Sequence, residues 1–168
     1  VSEVGAAQAA DQPEISFDGD PLALERQVCF ALAVASRSVI ALYRPLLEPL
    51  GLTHPQYLVM LALWQRTPRS VKELSAVLQL DAGTLSPLLK RLEAAGLLVR
   101  QRDAGDERAL AVTLTERGTA LREQALRIPE AVVRRLGMSL AELQHLHESL
   151  TRVIAAANAG DPDSGERP

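Results

Sequence analysis

The stretch from Ser70 to Leu114, SVKELSAVLQLDAGTLSPLLKRLEAAGLLVRQRDAGDERALAVTL, has the pattern of two short helices followed by a hairpin. Ser70 with Glu73 three residues later forms a capping box. The Ser hydroxyl accepts from the Glu73 N–H, and the Glu73 carboxylate accepts from the Ser70 N–H. Val71, Leu74, Val77 and Leu78 give the helix begun there an apolar stripe. Leu80-Asp81-Ala82-Gly83 interrupts that period, and a second helix starts within Asp81 to Thr84. Its inner face is expected to be Leu85, Leu88, Leu89, Leu92 and Ala95. Gly96 ends it, because glycine accepts the left-handed backbone of a helix stop without steric cost. Two helices on a short glycine-containing turn read as a helix-turn-helix.

Downstream, Leu97–Arg102 suits a strand, Asp103-Ala104-Gly105-Asp106 has turn chemistry, and Ala109–Leu114 suits a returning strand. Helix, turn, helix and hairpin together make a winged-helix layout. The second helix then presents Thr84, Ser86, Lys90 and Arg91 outward, suited to base edges and phosphates in a major groove. Arg102 and Arg108 flank the hairpin tip, and Arg108 is placed to enter a minor groove, oriented by Asp106. A solvated loop in which these arginines pair with Asp103, Asp106 and Glu107 is the plain alternative, and the helix-turn-helix context favours DNA contact. Thr84 and Ser86 suit helix capping as well.

Upstream, a long helix is expected from Pro21 or Leu22 to Leu50. Its apolar face is Leu24, Val28, Leu32, Ala35, Val39, Leu42 and Leu46, with Pro45 and Pro49 bending or ending it. A further helix opens at Thr53 or His54 with Pro55 at its first position, facing inward through Leu58, Leu61, Ala62 and Trp64. After the hairpin, Thr115 starts a helix to about Leu136, weakened at Gly118 and kinked or broken at Pro129. Ser139 and Glu142 form a second capping box, and the last helix aligns Leu143, Leu146, Leu150, Val153, Ile154 and Ala157. Residues 1–20 and 159–168 read as a disordered arm and tail. The expected class is mainly α with a small two-to-three-stranded β-wing. Residues 53–114 form the DNA-binding domain, and residues 21–52 with 115–158 form a helical dimerisation region.

Bulk composition is less informative. The 168 residues suffice for one well-buried domain, and the net charge of −3 argues against indiscriminate coating of nucleic acid. Between Arg69 and Arg108 there are seven Lys/Arg against six Asp/Glu, so any basic surface must come from arrangement. The single cysteine excludes an intrachain disulfide and a multi-cysteine zinc site, and it suits a reducing, cytoplasmic setting. No signal peptide, membrane span, phosphate loop, metal cluster or nucleophile elbow is expected, hence no cofactor and no enzyme. His145 and His147, two residues apart, point to different sides of a helix and read as surface residues. Tyr57 and Trp64 read as core.

The run from Leu80 to Leu98, Arg102 with Asp106 and Arg108, and Leu114-Thr-Glu-Arg-Gly118 resemble the MarR family of bacterial repressors over about residues 22 to 157. Val28-Cys29-Phe30-Ala31-Leu32, Ala35-Ser36-Arg37, Tyr43-Arg44-Pro45-Leu46-Leu47 and Pro55-Gln56-Tyr57-Leu58 are similar to its organic hydroperoxide resistance regulators. The resemblance implies a homodimer joined through terminal helices that binds pseudo-palindromic double-stranded DNA. It further implies a redox-sensing Cys29, oxidised by an organic hydroperoxide, with Tyr43 holding the thiolate. Where relatives carry a second tyrosine, this chain has His54. Where some carry a second cysteine this chain has none, so the implied products are a mixed disulfide with a low-molecular-weight thiol, or overoxidation.

On an α-helix Cys29 and Tyr43, fourteen residues apart, lie on one face but ~21 Å apart along the axis. They meet if the helix bends sharply, or if two copies cross antiparallel near Ala35 and Ser36. The second arrangement is the expected one. With the helix start placed at Pro21 or Leu22, Cys29 is expected to gain little from the helix dipole. Two other functions stay in view. One is a MarR-type repressor released by a small phenolic or aromatic ligand, and the other is a one-cysteine thiol peroxidase.

Overall fold

A computed structural model describes residues 20–102 and 110–159. The chain divides into two compact units at Ser38 and Val39, a boundary that falls inside the first α-helix.

The N-terminal unit holds a 3-10 turn, Leu24–Arg26, and the start of α1, Val28–Leu47. The continuous helix expected from Pro21 onward is therefore broken. Gln27 adopts an extended backbone, and its side-chain amide donates to the Pro21 carbonyl at 2.6 Å and the Ala23 carbonyl at 3.3 Å. These bonds satisfy carbonyls that a continuing helix would have used, so the period restarts at Val28.

α1 passes through Pro45 and stops at Leu47, with a second 3-10 turn at Glu48–Leu50. Leu47 is its one buried residue. Its expected inner face is therefore not inner within this chain, since Val28 and Leu32 are exposed and Val39 and Leu42 only half-buried. Contrary to the sequence expectation, Val28–Leu50 is long and apolar enough to cross a membrane, with 23 residues and a mean hydropathy of 1.4. A helix destined for a protein interface meets the same test.

The second unit is organised around α2, His54–Gln65, capped at Thr53, whose N–H donates to Gln56 Oε1 at 2.8 Å. α2 buries Tyr57, Val59, Met60, Ala62 and Leu63, while Leu58 and Leu61 are exposed. Of the expected face, Ala62 is buried and Trp64 packs against the core, whereas Leu58 and Leu61 point outward. The helix is apolar almost all round, so no period distinguishes its sides.

β1, Arg69–Ser70, leads into α3, Val71–Leu78. The Ser70–Glu73 capping box forms, with Glu73 N–H to Ser70 Oγ at 3.1 Å and Ser70 N–H to Glu73 Oε2 at 2.7 Å. α3 buries Leu74, whereas Val77 is exposed. The turn to α4, Ala82–Ala94, contains no glycine. Gln79 takes the left-handed backbone at φ +51°, and Gly83 lies in the first turn of α4.

α4 buries Leu85, Leu88, Leu89 and Leu92 as expected; Ala95, its C-cap, is exposed because the helix has already ended there. Gly96 at φ +70° lets its own N–H reach the Glu93 carbonyl at 2.9 Å and the Leu97 N–H reach the Leu92 carbonyl at 3.0 Å. These two bonds are the Schellman stop.

β2, Leu98–Arg102, pairs antiparallel with β3, Leu110–Leu114, in the register Leu98 to Leu114 and Arg102 to Leu110. β1 adds to the other side of β3, giving the order β1-β3-β2. The fold is mainly helical with a small three-stranded antiparallel sheet, the winged-helix class.

The long helix expected after Thr115 breaks into α5, Glu116–Ala125, and α6, Ile128–Leu136, with Pro129 near the start of α6. Leu126 and Arg127 lie between them. Arg135 of α6 donates to the Leu42 carbonyl of α1 at 3.1 Å. The Ser139–Glu142 box starts α7, Leu140–Ala159, which buries none of its residues. The core is one cluster of Leu47, Met60, Leu63, Leu74, Leu85, Leu89, Leu92, Leu98 and Val112, extended by Ala125, Ile128 and Val132.

Candidate functional site

The outward side of α4 carries Thr84, Lys90 and Arg91 exposed and Ser86 half-buried, opposite a fully buried leucine face. The core seats the helix through its leucines and leaves polar groups along one edge. Asp81 caps it, accepting from the Thr84 N–H at 2.8 Å and the Thr84 hydroxyl at 2.7 Å. The cap is therefore Asp81 and not Thr84, which is the third residue of the helix, donates to that cap and remains on the outer edge. Hydrogen bonds from Thr84 hold the Asp81 carboxyl below its ordinary range.

Glu93, on the last turn of α4, receives the Arg100 N–H at 3.0 Å, its Nε at 3.0 Å and its Nη2 at 2.6 Å. Those bonds keep Glu93 ionised at lower pH than usual and fix the helix against the base of the wing. At the start of α3, Arg66 pairs with Glu73 through a single guanidinium nitrogen. Arg102 closes β2, while Arg108 and Asp106 lie outside the described residues.

A second constellation is aromatic. Tyr43 on α1 meets the His54 ring edge-on at 5.0 Å and Tyr57 at 5.9 Å, and Tyr57 meets Trp64 at 6.3 Å. The sequence names Tyr43 and His54 separately as residues for the Cys29 thiol and places Tyr57 in the core. Tyr57 is buried, yet it extends this group, and the three-residue offset from His54 along α2 is the signal that could have shown it. Burial raises the Tyr43 and Tyr57 phenols, Tyr57 further through its neighbour Tyr43, so both remain protonated donors.

Burial lowers the His54 pKa, which favours the neutral ring that meets Tyr43. Because the unfolded chain binds the His54 proton more readily, stability falls as pH drops through the unfolded value of 6.5. Glu73, Asp81, Glu93 and Glu142 have lowered values and contribute their loss in the acid range below it. His54→Gln is expected to flatten the stability profile between about pH 5 and 7 in denaturant titrations; an unchanged slope would assign that window to another group.

Cys29 is exposed and is the second residue of α1. The first intrahelical bond runs from Ala31 N–H to the Gln27 carbonyl at 3.1 Å. The sequence reading had placed Cys29 well inside a helix. The break at Gln27 puts it instead in a first turn, as the second residue of α1.

A cleft of about 520 Å³, lined by Tyr57, Leu58, Leu61, Trp64, Val77 and Leu126 among others, opens beside the aromatic group. Trp64 is anchored there by its Nε1–H, which donates to the Gly118 carbonyl at 2.8 Å.

Residues 41–124 match the family described as transcriptional regulator SarA/Rot. The organic hydroperoxide resistance transcriptional regulator of Bacillus subtilis (strain 168) is 42% identical over 135 residues, which cover 80% of this chain and 92% of that protein. The HTH-type transcriptional regulator TtmR of Methylorubrum extorquens (strain PA1) is 43% identical over 147 residues, 88% of this chain and 75% of its own. Among solved structures, reduced AbfR bound to DNA superposes with a TM-score of 0.66 at 33% identity, covering 80% of this chain and 94% of that one. AbfR, from Staphylococcus epidermidis, is also known overoxidised on DNA and in a disulfide form.

Proposed function

The chain belongs to the MarR-like SarA/Rot family of winged-helix transcriptional regulators, and from that premise we propose a homodimeric repressor whose Cys29 senses organic hydroperoxides. The observation that carries this reading is an exposed cysteine in the first turn of a long apolar helix that buries one residue in its own chain. Val28, Phe30, Leu32, Val34 and Ile40 on α1, and Leu146, Val153 and Ile154 on α7, are exposed to water in the single chain. Covering them with a second copy recovers the hydrophobic free energy. A two-fold pair also spaces two α4 helices about one DNA turn apart, ~34 Å.

In that pair, antiparallel crossing of α1 at Ala35 and Ser36 sets Cys29 of one copy against Tyr43 of the other, beside a neutral His54. Thr84, Ser86, Lys90, Arg91, Arg102 and Arg108 make the DNA contacts, with Asp106 orienting the wing. A reducing, cytoplasmic compartment fits a switch built on one thiol.

The chemistry is a two-step oxidation. The Cys29 thiolate attacks the distal oxygen of the hydroperoxide, the O–O bond breaks, and sulfenic acid forms as the alkoxide leaves and takes a proton to become the alcohol. A low-molecular-weight thiol then condenses with the sulfenic acid, forming a mixed disulfide and releasing water. AbfR is known overoxidised while on DNA, which favours the mixed disulfide over further oxidation as the releasing species here. Its added bulk wedges the helix seam and moves the two reading heads out of register.

A mobility-shift titration tests this with an operator duplex, cumene hydroperoxide and a small thiol. Oxidised wild type is expected to lose affinity by about 10- to 100-fold, while Cys29→Ser holds within about twofold. Equal release from Cys29→Ser would remove the sensing role. The cleft beside Tyr57 and Trp64 favours the second reading, release by a phenolic ligand; release of Cys29→Ser by salicylate alone is its signature. Sustained turnover of peroxide with a reductant would instead indicate a thiol peroxidase.

A further inference from the structure

We propose that Asp81 is a specificity-determining residue, its carboxylate accepting a hydrogen bond from the exocyclic amino group of a cytosine in the major groove. This rests on the DNA-binding reading above. The leading turn of α4 offers Asp81, Ala82, Gly83 and Thr84, all exposed, so Asp81 and Thr84 are the polar side chains that lead into a groove.

A carboxylate at that position opposes the phosphates and contributes nothing to indiscriminate binding. Its worth lies in what it accepts. Asp81 Oδ1 takes the Thr84 N–H and Oδ2 takes the Thr84 hydroxyl, which pins the carboxylate in one orientation. Each oxygen keeps a further lone pair for an outside donor. Thr84 has given its one hydroxyl hydrogen to Asp81, so it too presents only lone pairs and a methyl group. The side chains of the leading edge therefore offer acceptors only.

Gly83 keeps that edge open, because a Cβ there would lie 3.0 Å from Asp81 Oδ1. In the major groove the donors are cytosine N4 and adenine N6. Adenine sets the acceptor N7 beside its donor, which repels a carboxylate, whereas cytosine sets a C–H there. The same hydrogen bonds from Thr84 keep Asp81 ionised at neutral pH.

Full-length wild type, Asp81→Asn and Thr84→Val are each used to select duplexes from a randomised pool, and the selected duplexes are then titrated. Asparagine caps a helix as well as aspartate, and thermal denaturation checks that the fold is kept. Wild type is expected to select one cytosine in each half-site, preferred about 10-fold over other bases. Asp81→Asn is expected to lose that preference at those positions alone, to gain adenine there, and to bind random-sequence DNA more tightly. Thr84→Val keeps the backbone cap but frees the carboxylate, and is expected to weaken the cytosine preference. Unchanged base preferences in Asp81→Asn would overturn the assignment and leave the DNA-binding reading intact. A wild type that enriches no duplex would overturn that reading, and this inference with it.

Discussion

Gly118→Ala is expected to destabilise the protein by about 3 kcal/mol, read as a lowered midpoint of chemical denaturation with an unchanged slope. A Cβ at this position would lie 1.9 Å from the Leu97 carbonyl oxygen and 2.9 Å from its carbon, both backbone atoms, and 3.2 Å from the Leu114 side chain. Backbone cannot rotate aside as a side chain can, so α5 must shift bodily.

That shift meets a fixed set of hydrogen bonds. Gly118 N–H donates to Thr115 Oγ1 at 3.0 Å, and the Thr115 hydroxyl donates to the Gly96 carbonyl at 2.7 Å. Thr115 N–H donates to the Leu97 carbonyl at 3.1 Å, and the Trp64 indole donates to the Gly118 carbonyl at 2.8 Å. Each of these that is lost while buried costs about 1–3 kcal/mol. Gly137→Ala is the control. Its backbone is left-handed at φ +65° but its Cβ would meet nothing within 4 Å, so it should cost only about 1 kcal/mol of conformational strain. Equal effects at the two positions would mean that α5 yields to the added Cβ at little cost and that the approach to Leu97 is not what requires Gly118.

Replacing both Leu146 and Ile154 with glutamate is expected to halve the molar mass in solution and to lower operator affinity by about 100- to 10,000-fold. Both side chains are exposed in the single chain, 45% and 46%, so charges there cost the folded monomer little. In the proposed dimer the same positions lose their water, and an unpaired buried carboxylate is strongly unfavourable. The loss of affinity follows from geometry: a monomer engages one half-site and forfeits the second, intramolecular contact. Unchanged helical circular dichroism with a halved mass is the result expected. An unchanged mass would place the interface elsewhere than α7.

The turn of the helix-turn-helix shows how far local reasoning reaches. The Ser70 and Ser139 capping boxes, the Gly96 stop and the leucine face of α4 were all legible, because each depends on residues within four positions of one another. The glycine expected in the turn was misplaced by a few residues, since Gln79 carries the left-handed backbone. Of the candidate site, the exposed edge of α4 could be anticipated, and Tyr43 and His54 were singled out without their mutual contact. Tyr57 joins that group where α2 packs on Tyr43, its three-residue offset from His54 being the one local signal, and Thr84 is locked onto Asp81 by a cap bond that spans three residues.

By itself the sequence determined the order of elements, their caps and the winged-helix class, since hydrogen-bond caps and apolar periods act over one or two turns. Tertiary structure alone decided three further matters. It set which side of the uniformly apolar α2 turns inward, and that Gly118 is a point of backbone contact rather than a weak turn. It also set that the helix restarts at Val28, which leaves Cys29 in an exposed first turn. The physical reason is common to all three. The loss of water from a surface, or the approach of two backbones, is settled by segments far apart in the chain, and no local period records their arrival.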